Sequence, residues 1–152
     1  MKKIFLGCVI LLFALGISAS IFAGGRQDIE DNIGETNAKP GVLVVELIYL
    51  NHGPVRNVVT DIDNLLEGYG EQIHITRYSF GSSEGKSFAE LRKLDGHIPL
   101  AVFINGSMKF KVDNRSVDFI SFPQGGGTGF VADGEWSMDD LKQVIDGELV
   151  KS

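Results

Sequence analysis

One stretch, Val42-Leu43-Val44-Val45-Glu46-Leu47-Ile48-Tyr49-Leu50, constrains this chain more than any other. It is almost continuously apolar and rich in β-branched side chains, so both of its faces demand cover. A strand with one solvated face would alternate apolar with polar residues, and this one does not. It reads as a central strand in an α/β architecture. Its one charge, Glu46, must be paired, hydrated or protonated in that interior. Asn51-His52-Gly53-Pro54 ends the run.

Downstream, Val55, Val58, Val59, Ile62, Leu65, Leu66 and Tyr69 recur at helical spacing. Pro54 suits the first turn of that helix, which is expected to stop at Gly68 or Gly70. Ile73 to Phe80 reads as a second strand, then Gly81-Ser82-Ser83 leads into a short helix around Ser87–Leu94. Pro99 opens a third strand, Leu100 to Ile104, and Asn105-Gly106 predicts a hairpin turn into Met108–Val112. Val117–Phe122 extends that hairpin by another strand, and Gln124 to Gly134 is a glycine-rich loop containing Gly125-Gly126-Gly127 and Gly129. Phe130 and Trp136 bracket a polar turn there. They are expected either to pack against the last helix or to form part of an exposed partner surface. Ser137 with Asp140 is a capping-box signature, Asp standing in for Glu or Gln, ahead of Leu141, Val144, Ile145 and Leu149. The order strand–helix–strand–helix–strand–strand–helix predicts an α/β fold with a central mixed sheet flanked by helices.

The N-terminus has a different character. Lys2-Lys3 precede an apolar run from Ile4 to Phe22, with small residues at Ser18-Ala19-Ser20 and Ala23. That pattern reads as a secretory signal peptide over 1–23, retained as a membrane anchor only if it is not cleaved. Residues 24–41 form a polar, acidic linker, and 42–150 the folded domain. Of 152 residues 14 are basic and 20 acidic; losing residues 1–23 removes Lys2 and Lys3 and no acid, so the net charge moves from −6 to −8. Such acidity argues against nucleic acid as a partner. The single cysteine, Cys8, lies in the signal, so the exported chain would contain no thiol.

The element order and several local motifs together resemble the thioredoxin-like superfamily. The likeness runs from Val42 to Glu148, with His52-Gly53-Pro54-Val55-Arg56 in the place of Cys-Gly-Pro-Cys-Arg/Lys. Ile98-Pro99 followed by Phe103-Ile104-Asn105-Gly106 is similar to the family's cis-proline loop, third strand and turn. Glu46 stands where thioredoxins carry a buried acid and Arg77 where they carry its lysine partner, which implies a Glu46–Arg77 ion pair. The chain departs from the family at the chemistry. His52 and Val55 replace both cysteines, Asn51 replaces the preceding tryptophan, and Leu100 replaces the threonine after the proline. Thiol–disulfide exchange needs a thiolate, so a chain shorn of Cys8 cannot perform it.

What the resemblance leaves is a surface. It implies a groove formed by His52, Gly53 and Pro54 with His97, Ile98 and Pro99, able to hold an extended segment of an envelope protein or peptide without covalent chemistry. The implied location is periplasmic or secreted. Two other classes stand beside this one: a non-thiol enzyme or metal site using His52, and a structural subunit of an envelope complex. His52, His74 and His97 are not at metal-ligand spacing, and no cofactor, metal or catalytic residue is assigned. Gly81-Ser82-Ser83-Glu84-Gly85-Lys86-Ser87 is one residue short of a phosphate-binding loop and reads as a capped helix start.

Overall fold

The apolar run becomes β1 (Leu43–Tyr49), the middle strand of a three-stranded sheet, as its two apolar faces require. The computed structural model describes residues 39–125 and 133–152. The expected signal peptide, most of the linker, and Gly126, Gly127, Gly129 and Phe130 lie outside the described residues. β2 (Ile73–Ser79) runs parallel to β1, setting Glu46 opposite Thr76 and Leu47 opposite Arg77. β3 (Leu100–Ile104) runs antiparallel on the other side, with Tyr49 opposite Leu100 and Val45 opposite Ile104.

Helices cover both faces. α1 (Gly53–Glu67) links β1 to β2, α2 (Ser83–Leu91) links β2 to β3, and α3 (Met138–Leu149) follows the hairpin of β4 (Lys109–Val112) and β5 (Arg115–Asp118). Leu43, Val45 and Leu47, with Leu100, Val102 and Ile104, meet Val55, Ile62 and Leu66 of α1 and Leu141 and Ile145 of α3. The opposite face is smaller: Ile48, Ala101 and Phe103 pack on Phe88 of α2. The chain is therefore mixed α/β, a sheet between two helical layers. Among the described residues no helix is long and apolar enough to cross a membrane.

The local signals account for most boundaries. Asn105 and Gly106 both have positive φ, 48° and 76°, as a two-residue hairpin turn requires. The turn is fastened to β1, because Asn105 N–H donates to the Val44 carbonyl at 2.8 Å and Asn105 Oδ1 accepts from Val44 N–H at 3.1 Å. Asp113 and Asn114, at φ 48° and 69°, repeat that turn between β4 and β5. The stretch expected as one strand over Val117–Phe122 divides. Its start pairs with β4, whereas the Phe119 carbonyl accepts from Val102 N–H at 2.9 Å and Ser121 N–H donates to the Leu100 carbonyl at 2.8 Å. The chain thus turns from the hairpin to the outer edge of β3.

α2 begins four residues before the expected Ser87, because Ser82 Oγ accepts from Gly85 N–H at 2.9 Å and caps the helix. Gly85 lies against β2 so closely that a Cβ would fall 1.8 Å from the Ser79 carbonyl oxygen. The Gly-Ser stretch is a helix start set tightly on the sheet. At the far end, Tyr69 Oη donates to Asp146 Oδ1 at 2.8 Å and joins the end of α1 to α3. Burial, then Asp146, pushes the Tyr69 hydroxyl up to about 12.

Ser137 and Asp140 complete the capping box of α3, and Arg115 donates from the hairpin to the same Asp140 carboxylate. Burial alone would raise that carboxyl, but the hydrogen bonds from Arg115 and Ser137 prevail and hold it below the usual range. A carboxyl depressed on folding stabilises above its unfolded pKa of about 4 and loses that contribution as pH falls through the folded value. Asp140→Ala is expected to cost about 1–2 kcal/mol at pH 7. Urea melts should show the gap from wild type narrowing progressively as pH falls below about 4.

Candidate functional site

The end of β1 and the start of β3 determine what comes together here. Leu50 N–H donates to the Pro99 carbonyl at 2.9 Å, carrying the β1–β3 ladder one step beyond the named strands. The turn after β1 therefore lies beside the loop before β3. His52 N–H closes that turn on the Leu50 carbonyl at 2.9 Å, and the His52 carbonyl accepts from Arg56 N–H at 3.1 Å. His52 is the N-cap of α1 in extended conformation, yet its side chain makes no capping hydrogen bond. Pro54 occupies the first turn, where its missing N–H costs nothing.

Of the expected groove residues, His52, Gly53, Pro54 and His97 are exposed, Ile98 is half-buried and Pro99 is buried. Ile98 leans on the α2-side cluster. Its backbone N–H and C=O have no partner among the described residues. The expected cis bond at Pro99 is not found: no cis peptide occurs among the described residues. An X–Pro bond favours trans by about 0.5–1 kcal/mol, and here the Pro99 carbonyl meets Leu50 without a cis bend.

The expected Glu46–Arg77 pair is also corrected. Arg77 Nη2 lies 2.7 Å from Asp63 Oδ1 of α1, whereas Glu46 Oε2 is held by Arg92 Nη2 at 2.6 Å. The reason is register. Arg77 stands opposite Leu47, so it shares the α1 face, while Glu46 and its opposite number Thr76 point to the α2 face. A residue on the α2 side must then answer Glu46, and Arg92, the C-cap of α2, does so.

The environment of that pair is aromatic. The Arg92 guanidinium lies 5.2 Å from the ring centroids of both Phe88 and Phe103. Tyr78 stacks on Phe88 at 4.2 Å, and burial followed by the Glu46 charge pushes its hydroxyl up, with Arg92 pulling the other way. Glu46 is 1% exposed, and Oε1 makes no hydrogen bond among the described residues. The carboxylate is thus engaged by Arg92 inside the α2-side cluster. Sequence reasoning missed Arg92; the available signal was that Glu46 and Ile48 share the face of β1 opposite Leu47.

Trp136 is fully buried, edge-on to Phe119 at 5.4 Å, and its Nε1–H donates to the Ile120 carbonyl at 3.1 Å. It therefore contributes nothing to an exposed patch. Among the described residues no three His, Cys, Asp or Glu side chains converge as a metal site. No family model, curated protein or solved structure matches this chain.

The two arginines separate the assignments experimentally. Arg92→Met leaves Glu46 buried beside no cation and is expected to cost about 3–5 kcal/mol. Arg77→Met breaks a pair whose arginine side chain is 38% exposed, and should cost less than about 1 kcal/mol. Equal losses in urea unfolding would contradict the pairing described.

Proposed function

We propose that the chain is an exported, thioredoxin-like protein without thiol chemistry that binds an extended segment of a protein or peptide non-covalently. The observation that carries this reading is the Leu50–Pro99 hydrogen bond. It sets the exposed His52-Gly53-Pro54 turn beside the loop through His97 and Ile98, where the Ile98 backbone is left without a partner among the described residues. An extended peptide alongside Ile98 would satisfy those groups as an added strand does. The α1 N-terminus, with His52 making no side-chain cap, adds unpaired N–H donors to the same surface.

The layer order supports the thioredoxin-like reading: a parallel β1–β2 pair, an antiparallel β3, the Phe119–Ser121 stretch beyond it, and helices on both faces. The basic-then-apolar N-terminus supports export to the periplasm or beyond. Since Cys8 is the only cysteine, residues 24–152 hold no thiol, and recognition is the part of the scaffold's chemistry that such a chain retains. The binding surface rests on the Ile98 backbone, which has no partner among the described residues.

The test compares wild type with a His52→Ala, Ile98→Glu double variant in affinity capture from an envelope extract. Melting temperatures are checked to be alike. Partners held by the groove should fall at least about tenfold, equivalent to about 1.4 kcal/mol. If the double variant retains every captured protein at wild-type level, the groove reading is wrong.

A further inference from the structure

β1 has a strand on each side, but among the described residues β2 does not. Among the described residues β2 pairs with β1 alone. Phe80 N–H donates to the Tyr49 carbonyl at 3.1 Å, and alternation along the strand then turns the backbone groups of Tyr78, Thr76 and His74 toward β1. The N–H and C=O groups of Ile75 and Arg77 face away and meet no partner among the described residues. Native sheets blunt such edges with proline, bulges, lysines or covering segments. Ile73-His74-Ile75-Thr76-Arg77-Tyr78-Ser79 has no proline, and its one-to-one register with β1 contains no bulge.

The sequence of this edge indicates its occupant. Two antiparallel copies must match outward-facing residues with outward-facing residues. An axis at Arg77 would oppose two arginines, and one at Ile75 would leave the end of the strand unmatched. An axis at Thr76 pairs all seven residues. It sets Ile75 against Arg77 of the second copy, His74 against Tyr78, and Thr76 against Thr76, a favourable cross-strand pair with no like charges opposed. Arg77 is already answered by Asp63, and β2 holds no acid, so this edge is nearly neutral in a chain of net charge −6. We infer that the protein forms a weak dimer in solution by antiparallel β2-to-β2 pairing about Thr76, joining two three-stranded sheets into one. A single added strand buries little surface, which makes the dimer weak and concentration-dependent. The inference is independent of the peptide groove, since β2 and β3 lie on opposite sides of β1.

Sedimentation of the purified protein from ~10 μM to ~1 mM should show reversible monomer–dimer exchange. Thr76→Lys and Thr76→Glu each place like charges across the axis and should weaken self-association about fivefold or more, whereas an equimolar mixture of the two should restore it. Restoration in the mixture separates an interface effect from a folding defect. As a measurement needing no variant, hydrogen exchange at the Ile75 and Arg77 amides of wild type should slow as concentration rises. A monomer up to ~1 mM, or a dimer indifferent to both charges, overturns the proposal. So does protection of those two amides at every concentration without dimer, since another part of the chain, or a bound peptide, would then occupy the edge.

Discussion

A strand buried on both faces leaves a carboxylate within it few options, and Glu46 on β1 takes the one that organises the α2 layer. Ile48, Ala101 and Phe103 supply the apolar floor on that side, and Phe88 of α2 is buried against it. Burying such side chains contributes about 1.5–3 kcal/mol each but gives little direction. The Glu46–Arg92 contact supplies direction. It brings the C-terminal end of α2 over β1 and orients the guanidinium between Phe88 and Phe103. Replacing such a pair by apolar residues can leave stability unchanged, whereas removing one member strands the other. Its part in this fold is therefore positional: α2 cannot slide along the sheet without exposing Glu46 to an apolar neighbourhood.

The same fact explains how much of the structure was legible beforehand. β3 has the expected bounds, Leu100 to Ile104, and β1 falls within the apolar run, because an uninterrupted apolar stretch between turn residues has few other uses. α3 starts where Ser137 and Asp140 placed it, since a capping box is a local signal that tertiary packing has no cause to override. Register is not local. Moving β2 by one residue against β1 exchanges the faces of Thr76 and Arg77, and only packing decides between them. The Glu46–Arg77 pair that the resemblance implies therefore gives way to Arg92, 46 residues from Glu46 in the chain.

Two other differences have similarly specific causes. The Asp113-Asn114 turn lacks glycine, so its left-handed conformation, tolerated by Asp and Asn, was weakly signalled. The Val117–Phe122 stretch carries one apolar pattern but serves two neighbours in turn, β4 and then β3. Periodicity reports which side chains face inward and is silent on which strand lies alongside. Of the candidate site, the exposed His52 turn and its proximity to the Pro99 loop follow from the β1–β3 ladder, and the sequence carries the strands of that ladder but not their pairing. The isomer of Pro99 was implied only by resemblance, and nothing in the local sequence required it to be cis.

The two surfaces inferred for this chain share a physical basis. With its only cysteine at position 8, the folded domain has no thiol with which to exchange disulfides. Among the described residues, backbone hydrogen-bonding capacity remains at Ile98 and on the outer edge of β2. Neither surface needs a reactive side chain, and each offers amides whose hydrogen bonds gain strength when a partner strand excludes water. Self-association must also overcome repulsion between acidic copies, which salt screens over about 10 Å at 0.1 M. The β2 edge holds no acid, so two such copies meet there with no carboxylate in either strand, and its use would leave the surface at His52 and Ile98 open on both.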